Sequence, residues 1–557
     1  MGSARVTVSA ADLDAGHFGQ MEIGATAHVA ASTEERGLEN WRPFAGSADA
    51  DILDENPLIT ARSRDLDRNH PLAAGALQTY RDNIVGHVLR LSSKPSYEAL
   101  GWDLEYAREW SRRYETEFAD YANSTQPDAE GEDDLLGLTI RMLTGMLHGN
   151  ALAVVKWIDG PADRWRTKFL IIEGDRLQTP PELLGDPQVR GGRRLDRNGR
   201  VVGYYIRRVH PGDRTWWLAG AYAASSDDFD YVPAFSPWGR RLVIHLADRT
   251  RPAQSLGTSI FTPTMRELRQ VGSYTNAELS RAVVQSLVAA FIESGLDANA
   301  LAQLFHGASG GKGIAGAEAH WRKTLGEYRP QLKGGAIIPL PIGARAKGFE
   351  NGAPSGQFSQ FVDSLATWLG AGLNIPRELL LKDFTKSNYS SARAAILEAT
   401  RFFLGRRGLI IRKWLNPVQD LWAEEAVHGG RIEVDLNDWY RRTSLYQRGR
   451  WVFAGRGWVD PTKEAQAAQL RMQIGVSTLE SECAEQGLDW EEVAEQRAYE
   501  RRRLVDELGL PDPYAPTKNA SETRSERDSG APEDDPDDPD RTEERESAAQ
   551  PSEEWAA

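Results

Sequence analysis

Between Ile396 and Leu421 the apolar residues Ile396, Ala399, Phe403, Ile410, Trp414, Val418 and Leu421 recur at steps of three, four or seven. That spacing holds them on one side of an α-helix. A helix from Ser390 to Leu421 would run for about 45 Å at a rise of 1.5 Å per residue. An unbroken apolar face of this length needs cover along its whole run, so the segment reads as a strut and not as a pocket wall. Ser390 or Ser391 is placed to cap its start, without the Glu of a capping box. Gly405 and Gly408 bracket Arg406 and Arg407 and mark the expected site of a bend or close crossing. The cations Arg393, Arg401, Arg406, Arg407, Arg412 and Lys413 lie mainly off the stripe. They form either a solvated, salt-bridged face or a surface for nucleic-acid phosphates or a neighbouring subunit.

At 557 residues the chain has room for more than one domain. Seventeen tryptophans imply extensive packed surface. No apolar run reaches the length of a membrane span. The first residues lack the apolar core of a signal peptide, and Val6 occupies the place where a myristoylation signal carries Ser or Thr. The single cysteine, Cys483, excludes an internal disulfide framework and any multi-cysteine metal site. The chain is therefore expected to work in the cytosol of the cell that makes it. From Lys518 onward 14 acidic residues face 5 basic ones, so the tail supplies −9 of the net charge of −15 and leaves −6 for the rest. A mildly acidic body argues against tight duplex binding but is compatible with handling DNA without gripping it.

Residues 1–40 are small and polar. Pro71 suits the first turn of a helix carrying Leu77, Tyr80, Ile84 and Val88. Trp102, Tyr106, Trp110, Tyr114 and Phe118 recur every four residues, which reads as a packing stripe, with a base-stacking or cofactor platform as the alternative. A helix through Leu136, Ile140, Leu143 and Leu147 should end at Gly149-Asn150 and give way to a strand from Ala151 to Ile158. Short strands follow to about residue 250, including a hairpin turning at Asn198-Gly199. Helix returns in a short element up to Arg269 and a longer one from about Asn276, whose apolar face is Leu279, Ala282, Val283, Leu287, Ala290 and Phe291. Gly334 to Gly343 looks extended, and the helix that follows should end near Pro376. The segment from Asp435 to Pro461 reads as tryptophan-rich and turn-broken. Thr462 to Leu508 is mostly helix, interrupted near Gly475 and Gly487. Residues 514–557 are low in complexity and read as disordered.

The search for chemistry is negative. The ten histidines are scattered; His245 and Asp248 lie three apart, and His148 ends a helix, with no second histidine at a ligand spacing. Gly307 to Gly313, GASGGKG, fails as a phosphate loop. His306 stands where the first glycine belongs, and Gly313 where Ser or Thr should follow the lysine. Cys483 sits beside Glu482 and Glu485, which disfavour a thiolate. No catalytic, cofactor-binding or metal-binding residue is assigned, and a structural or interaction role outranks an enzymatic one.

Five ordered blocks resemble a known family. Asn388 to Ala395, NYSSARAA, followed by Glu398 and Phe402-Phe403, is similar to a block of tailed-bacteriophage portal proteins of the lambda type. WRPFAGSADADI with ITARSRDLDRNHPLAAGALQTYRDNIVG, LTGMLHGNALAVV, GLNIPRELLLKDF and GRGWVDPTKEAQAAQLRMQIGVSTLESECAEQGLDWEEVAEQ resemble others, over about residues 40–510. The resemblance implies an α+β portal fold with a β-rich wing, long stem helices, a clip and a helical crown, assembled as a ring of about twelve subunits. Such a ring sits at one capsid vertex of the virion, after assembly in the host cytoplasm. It passes double-stranded DNA without sequence specificity during packaging and ejection, and meets terminase, head-tail connector proteins and the major capsid protein. No enzymatic activity, cofactor or membrane is implied. The parts would be a flexible segment (1–40), wing (41–260), stem and clip (261–355), long helices near the stem and channel (356–430), crown (431–513) and acidic tail (514–557). Arg393, Arg401, Arg406 and Arg407 become candidates for contact with the channel or a neighbouring subunit. The competing reading is a nucleic-acid-processing enzyme of the packaging apparatus, which would need clustered carboxylates with a metal or a true phosphate loop. A scaffold unrelated to DNA is a third.

Overall fold

The computed structural model describes residues 29–31, 37–38, 40–213, 228–292, 336–339, 358–386, 388–455, 457 and 461–515. The glycine-rich 305–320 segment with its GASGGKG loop, most of the first 40 residues and the acidic tail beyond 515 lie outside these. The chain is α+β, and two units divide it, Met1–Gly487 and Leu488–Ala557.

In the first unit, α1 (Asn56–Asn69) and α2 (Pro71–Ile84) meet at His70, whose backbone is extended because the following proline disfavours the helical region. Pro71 opens α2, where its missing N–H costs nothing. The helix stops at Ile84 because Gly86 turns at φ +76, where an added Cβ would lie 2.6 Å from that of Ala454. Val88, expected on the next helical turn, therefore leads into β1 (Leu89–Ser93). The Asp103 side chain accepts from the Tyr106 N–H to start α3 (Leu104–Ala122), and Asp134 does the same for Gly137 at α4 (Leu135–Leu147). The switch at Gly149 into β2 (Asn150–Trp157) falls where the sequence placed it.

Strand β3 (Thr167–Glu173) returns antiparallel against β2. Strands β4 (Val189–Arg190), β5 (Arg193–Leu195), β6 (Val201–Arg207) and β7 (Phe229–Pro233) form a sequential antiparallel sheet. The turn between β5 and β6 is the expected Asn198-Gly199 hairpin, with Asp196 Oδ1 accepting from the N–H groups of Asn198 and Arg200 at 2.8 Å each. Strand β8 (Val243–Ala247) then pairs with the free side of β2. Because strand side chains alternate, β2 serves two cores. Ala151, Ala153 and Val155 join the large helical core, while Leu152 and Val154 pack with Ile172, Leu177, Tyr204 and Ile206 beneath the four-stranded sheet.

One helix, α5 (Met265–Leu287), replaces the two elements expected between 261 and 291. Gly272 does not break it, and its bare Cα faces His70, 3.2 Å from where a Cβ would stand. Ala290 and Phe291, expected on the helix face, belong instead to β9 (Val288–Ile292), which pairs in parallel with β10 (Ala336–Pro339). Helix α6 (Phe358–Leu373) ends at Asn374, at φ +55, just before Pro376.

The long rod consists of α7 (Tyr389–Ile410), a π-helical turn over Ile411–Leu415, and α8 (Asn416–His428). Its cap is Asn388 rather than either serine: Asn388 Oδ1 accepts from the Ser391 N–H at 2.8 Å, and the Ser391 hydroxyl donates back to the Asn388 carbonyl. The irregularity falls at 411–415 and not at Gly405 or Gly408. Pro417 cannot donate to the carbonyl four residues back, and the wider turn before it absorbs the lost bond. The stretch expected to be turn-broken contains α9 (Leu436–Tyr446), capped by Asp435, and β11 (Gly449–Phe453), antiparallel to β1. Helices α10 (Pro461–Gln473) and α11 (Leu479–Glu485) follow, separated at Gly475.

The second unit contains α12 (Trp490–Arg501), started by Asp489, with Arg497 stacked over Tyr514. Among the described residues no helix is long and apolar enough to cross a membrane.

Candidate functional site

The rod is anchored on its inner side by the predicted stripe. Ala399, Phe403, Ile410, Trp414, Val418 and Leu421 are buried, and Ile396 is half-buried at the free end. Two side chains lock its register: Trp414 Nε1 donates to Thr139 Oγ1 at 2.9 Å, and Gln419 Nε2 donates to the Tyr114 hydroxyl at 3.2 Å. The aromatic ladder of α3 is the packing stripe the sequence indicated. Tyr114, Phe118, Tyr121 and Trp165 all lie within 6.4 Å, centroid to centroid, of Trp422 on α8, while Tyr106 stays exposed.

The four candidate arginines divide into two pairs. Arg406 is ion-paired with Asp248 beside β8 and stacks over Phe402. Arg407 donates to the carbonyls of Ile84 (2.8 Å) and Asn83 (3.0 Å), satisfying the end of α2, and lies over Phe453. Arg393 and Arg401 stand on the exposed side of α7, with Leu397 and Leu404 exposed between and beyond them. Among the described residues, Arg401 pairs only with Glu398, one helical turn back at 3.1 Å, and Arg393 has no ion-pair or hydrogen-bond partner.

Apolar side chains outside the rod extend this exposed character. Tyr274 of α5 packs on Phe358 and Phe361 of α6, yet Phe361 and Trp368 remain exposed, Trp368 at 71%. Leu279 and Val283 are exposed on α5. The seven-residue step from Phe361 to Trp368 was a readable signal for a second helical face.

One cluster of possible metal ligands occurs among the described residues: Glu173, Asp175 and His210, with ligand atoms within 4.8 Å of one another. Arg64 is ion-paired with both carboxylates and supplies the positive charge a cation would bring. The cluster ties α1 to the end of β3 and has no catalytic geometry. His148 and His245 are likewise spoken for, by Ser63 Oγ at 2.7 Å and Asn150 Oδ1 at 3.1 Å.

Comparison with known proteins decides what this assembly of helices belongs to. The family model described as "Phage portal protein, lambda family" matches residues 34–407, well over half of the chain. The chain belongs to the lambda family of phage portal proteins. Among its relatives, the portal protein of Escherichia phage N15 is 28% identical over 483 residues, covering 83% of this chain and 87% of that one. Portal protein B of Escherichia phage lambda is 27% identical over the same coverage. A probable portal protein of Halomonas phage phiHAP-1 is 24% identical over 506 residues, covering 89% of this chain and 90% of its own. Among solved structures, a chain from the virion of a native gene transfer agent particle matches 85% of this chain and 96% of its own, at 13% identity and a TM-score of 0.36. A chain from the neck of that particle matches 81% and 94%, at 15% identity and a TM-score of 0.35. Portal proteins are structural proteins.

Proposed function

We propose that the chain assembles into a ring of about twelve subunits at one capsid vertex, forming the channel through which double-stranded DNA is packaged and ejected. The family match across residues 34–407 carries this reading. In it, residues 41–260 are the wing, 261–355 the stem and clip, 356–430 the long helices beside the channel, and 431–513 the crown. The exposed apolar residues of α5, in the stem and clip region, and of α6, among the long helices near the stem and channel, support these two assignments, because a helix pair with an uncovered apolar face gains stability when neighbouring subunits bury it. Arg393 and Arg401 are the candidates on this rod for contact with DNA or the next subunit. Arg406 and Arg407 act by holding the rod against α2 and β8. A mildly acidic body lets DNA slide past such a sparse set of cations without being held. Terminase, head-tail connector proteins and the major capsid protein are the partners of the assembled ring.

Electron microscopy of the purified full-length chain tests the proposal. Rings of about twelve copies with a channel wide enough for duplex DNA are expected. A stable monomer under assembly conditions, or metal-dependent cleavage of DNA, would count against it and favour the processing-enzyme reading.

A further inference from the structure

A cavity of about 740 Å³ opens between the β4–β5 hairpin with its following turn, the loop after β8, and the rod at Leu409 and Lys413. Its lining carries six cations, Arg190, Arg193, Arg197, Arg249, Arg251 and Lys413, against two carboxylates, Asp196 and Asp248. Both carboxylates are committed elsewhere: Asp196 to the backbone of its own turn, Asp248 to Arg406. Arg251 is paired with Asp51, and Arg190 donates to the Pro187 carbonyl. Arg197, Arg249 and Lys413 have no ion-pair or hydrogen-bond partner among the described residues.

Arg193 is the decisive side chain. It is only 6% exposed, and although one terminal nitrogen donates to the carbonyls of Ser255 and Gln254, its Nε donor has no partner. A buried guanidinium with an unmet donor is costly unless an acceptor completes it. The surrounding charges point the same way. Burial, then Arg249, pushes the Arg193 guanidinium down to about 10. Partial burial, then Arg249, Arg241 and Arg412, pushes the Lys413 ammonium down. Asp49 offsets part of the charge on Arg193, but its carboxylate is already held by the Ser255 N–H and hydroxyl, so the cations lining the cavity outnumber the anions there.

We infer that this cavity binds a compact phosphate-bearing anion, of the size and charge of a di- or triphosphate. Planar guanidinium forks match phosphate oxygens two at a time, and the volume falls within the range of small-ligand sites. An acidic peptide would spread its carboxylates along about 3.3 Å of backbone per residue, whereas a polyphosphate concentrates its charge where cations converge from three segments. The inference does not depend on the channel reading, since the site lies within one chain.

Titration calorimetry of the full-length chain with sodium pyrophosphate at low ionic strength tests it, alongside the double variant Arg249→Gln/Lys413→Gln. Both side chains are exposed and unpaired, so the variant is expected to fold with a melting temperature equal to or above that of the parent. Saturable binding to the parent, weakened about tenfold or more in the variant, is expected, together with loss of the ligand-induced rise in melting temperature. No saturable binding, undiminished binding by the double variant, or equal affinity for a polyglutamate peptide would overturn the inference. Competition arms with ATP and with a short DNA duplex at matched phosphate concentration separate a free nucleotide from backbone phosphate as the source.

Discussion

Helices α8 and α10 each contain 13 residues, yet they live in opposite circumstances. α8 buries Val418, Gln419, Leu421, Trp422, Ala423, Ala426 and Val427, whereas α10 buries nothing, and neither does α11. Instead α10 and α11 are joined by the Arg471–Glu482 pair, and α11 reaches the β1–β11 ribbon through Glu480 to Lys94 and Arg450. Exposed pairs of this kind contribute about 0–1 kcal/mol each. An isolated helix of this length is marginal in water. The difference teaches where the single chain is self-sufficient and where its surface still waits for cover: Ile474 and Val476, following α10, are 64% and 73% exposed.

The sharpest way to break the self-sufficient side is Trp422→Ala. It removes the ring that Tyr114, Phe118, Tyr121 and Trp165 surround and leaves a cavity in the main core. A loss of about 3–5 kcal/mol is expected, read as an earlier midpoint in urea unfolding of the dilute chain. A loss below about 1 kcal/mol would mean that this aromatic cluster is not what stabilises the body.

The second core, beneath the four-stranded sheet, is open to acid. His245 is buried, and burial, then Arg193, Arg249 and Lys413, holds its pKa well below the ordinary 6.5. The unfolded chain therefore takes up a proton near that pH that the folded chain refuses. Stability is complete above about pH 6.5 and falls as the pH drops below it, by up to about 1.4 kcal/mol per pH unit until the folded-state pKa is reached. His70 and His148, also shifted down, chiefly by burial, act with the same sign. His245→Gln should flatten the slope of unfolding free energy between pH 6.5 and 5; an unchanged slope would show that this ring does not titrate as described.

The legible parts of the molecule are those whose periodicity is imposed by burial. The stripe from Ile396 to Leu421 and the α3 ladder were readable because a covered helix must repeat its apolar residues every three or four positions. The Asn198-Gly199 hairpin was readable because its turn is local. Strand β11 was not, since Trp451-Val452-Phe453 is defined by pairing with Leu89–Leu91, far away in sequence. Helix α5 runs unbroken across the gap expected between Arg269 and Asn276, where Gly272 packs against the His70 ring, a contact far away in sequence. Of the candidate site, residue type marked out four arginines, but only tertiary structure separates the two that brace the rod from the two that stay exposed. The cations around Arg193 were hidden altogether, being scattered from position 190 to 413 with no shared spacing.

The smallest expected effect on stability tests the uncovered side of the comparison. Ile474→Ser/Val476→Ser removes two exposed apolar side chains, and substitutions at such positions change the stability of the isolated chain by no more than about 0.5 kcal/mol. If α10 and the segment after it are covered by neighbouring subunits, the same variant should lower the fraction of protein in rings, measured by mass photometry across a concentration series. The two readouts must separate. A variant that unfolds earlier as a dilute chain would place these residues with Trp422, inside the body's own packing. One that assembles as readily as the parent would remove this patch from the ring interface and leave the exposed faces of α5 and α6 to account for association.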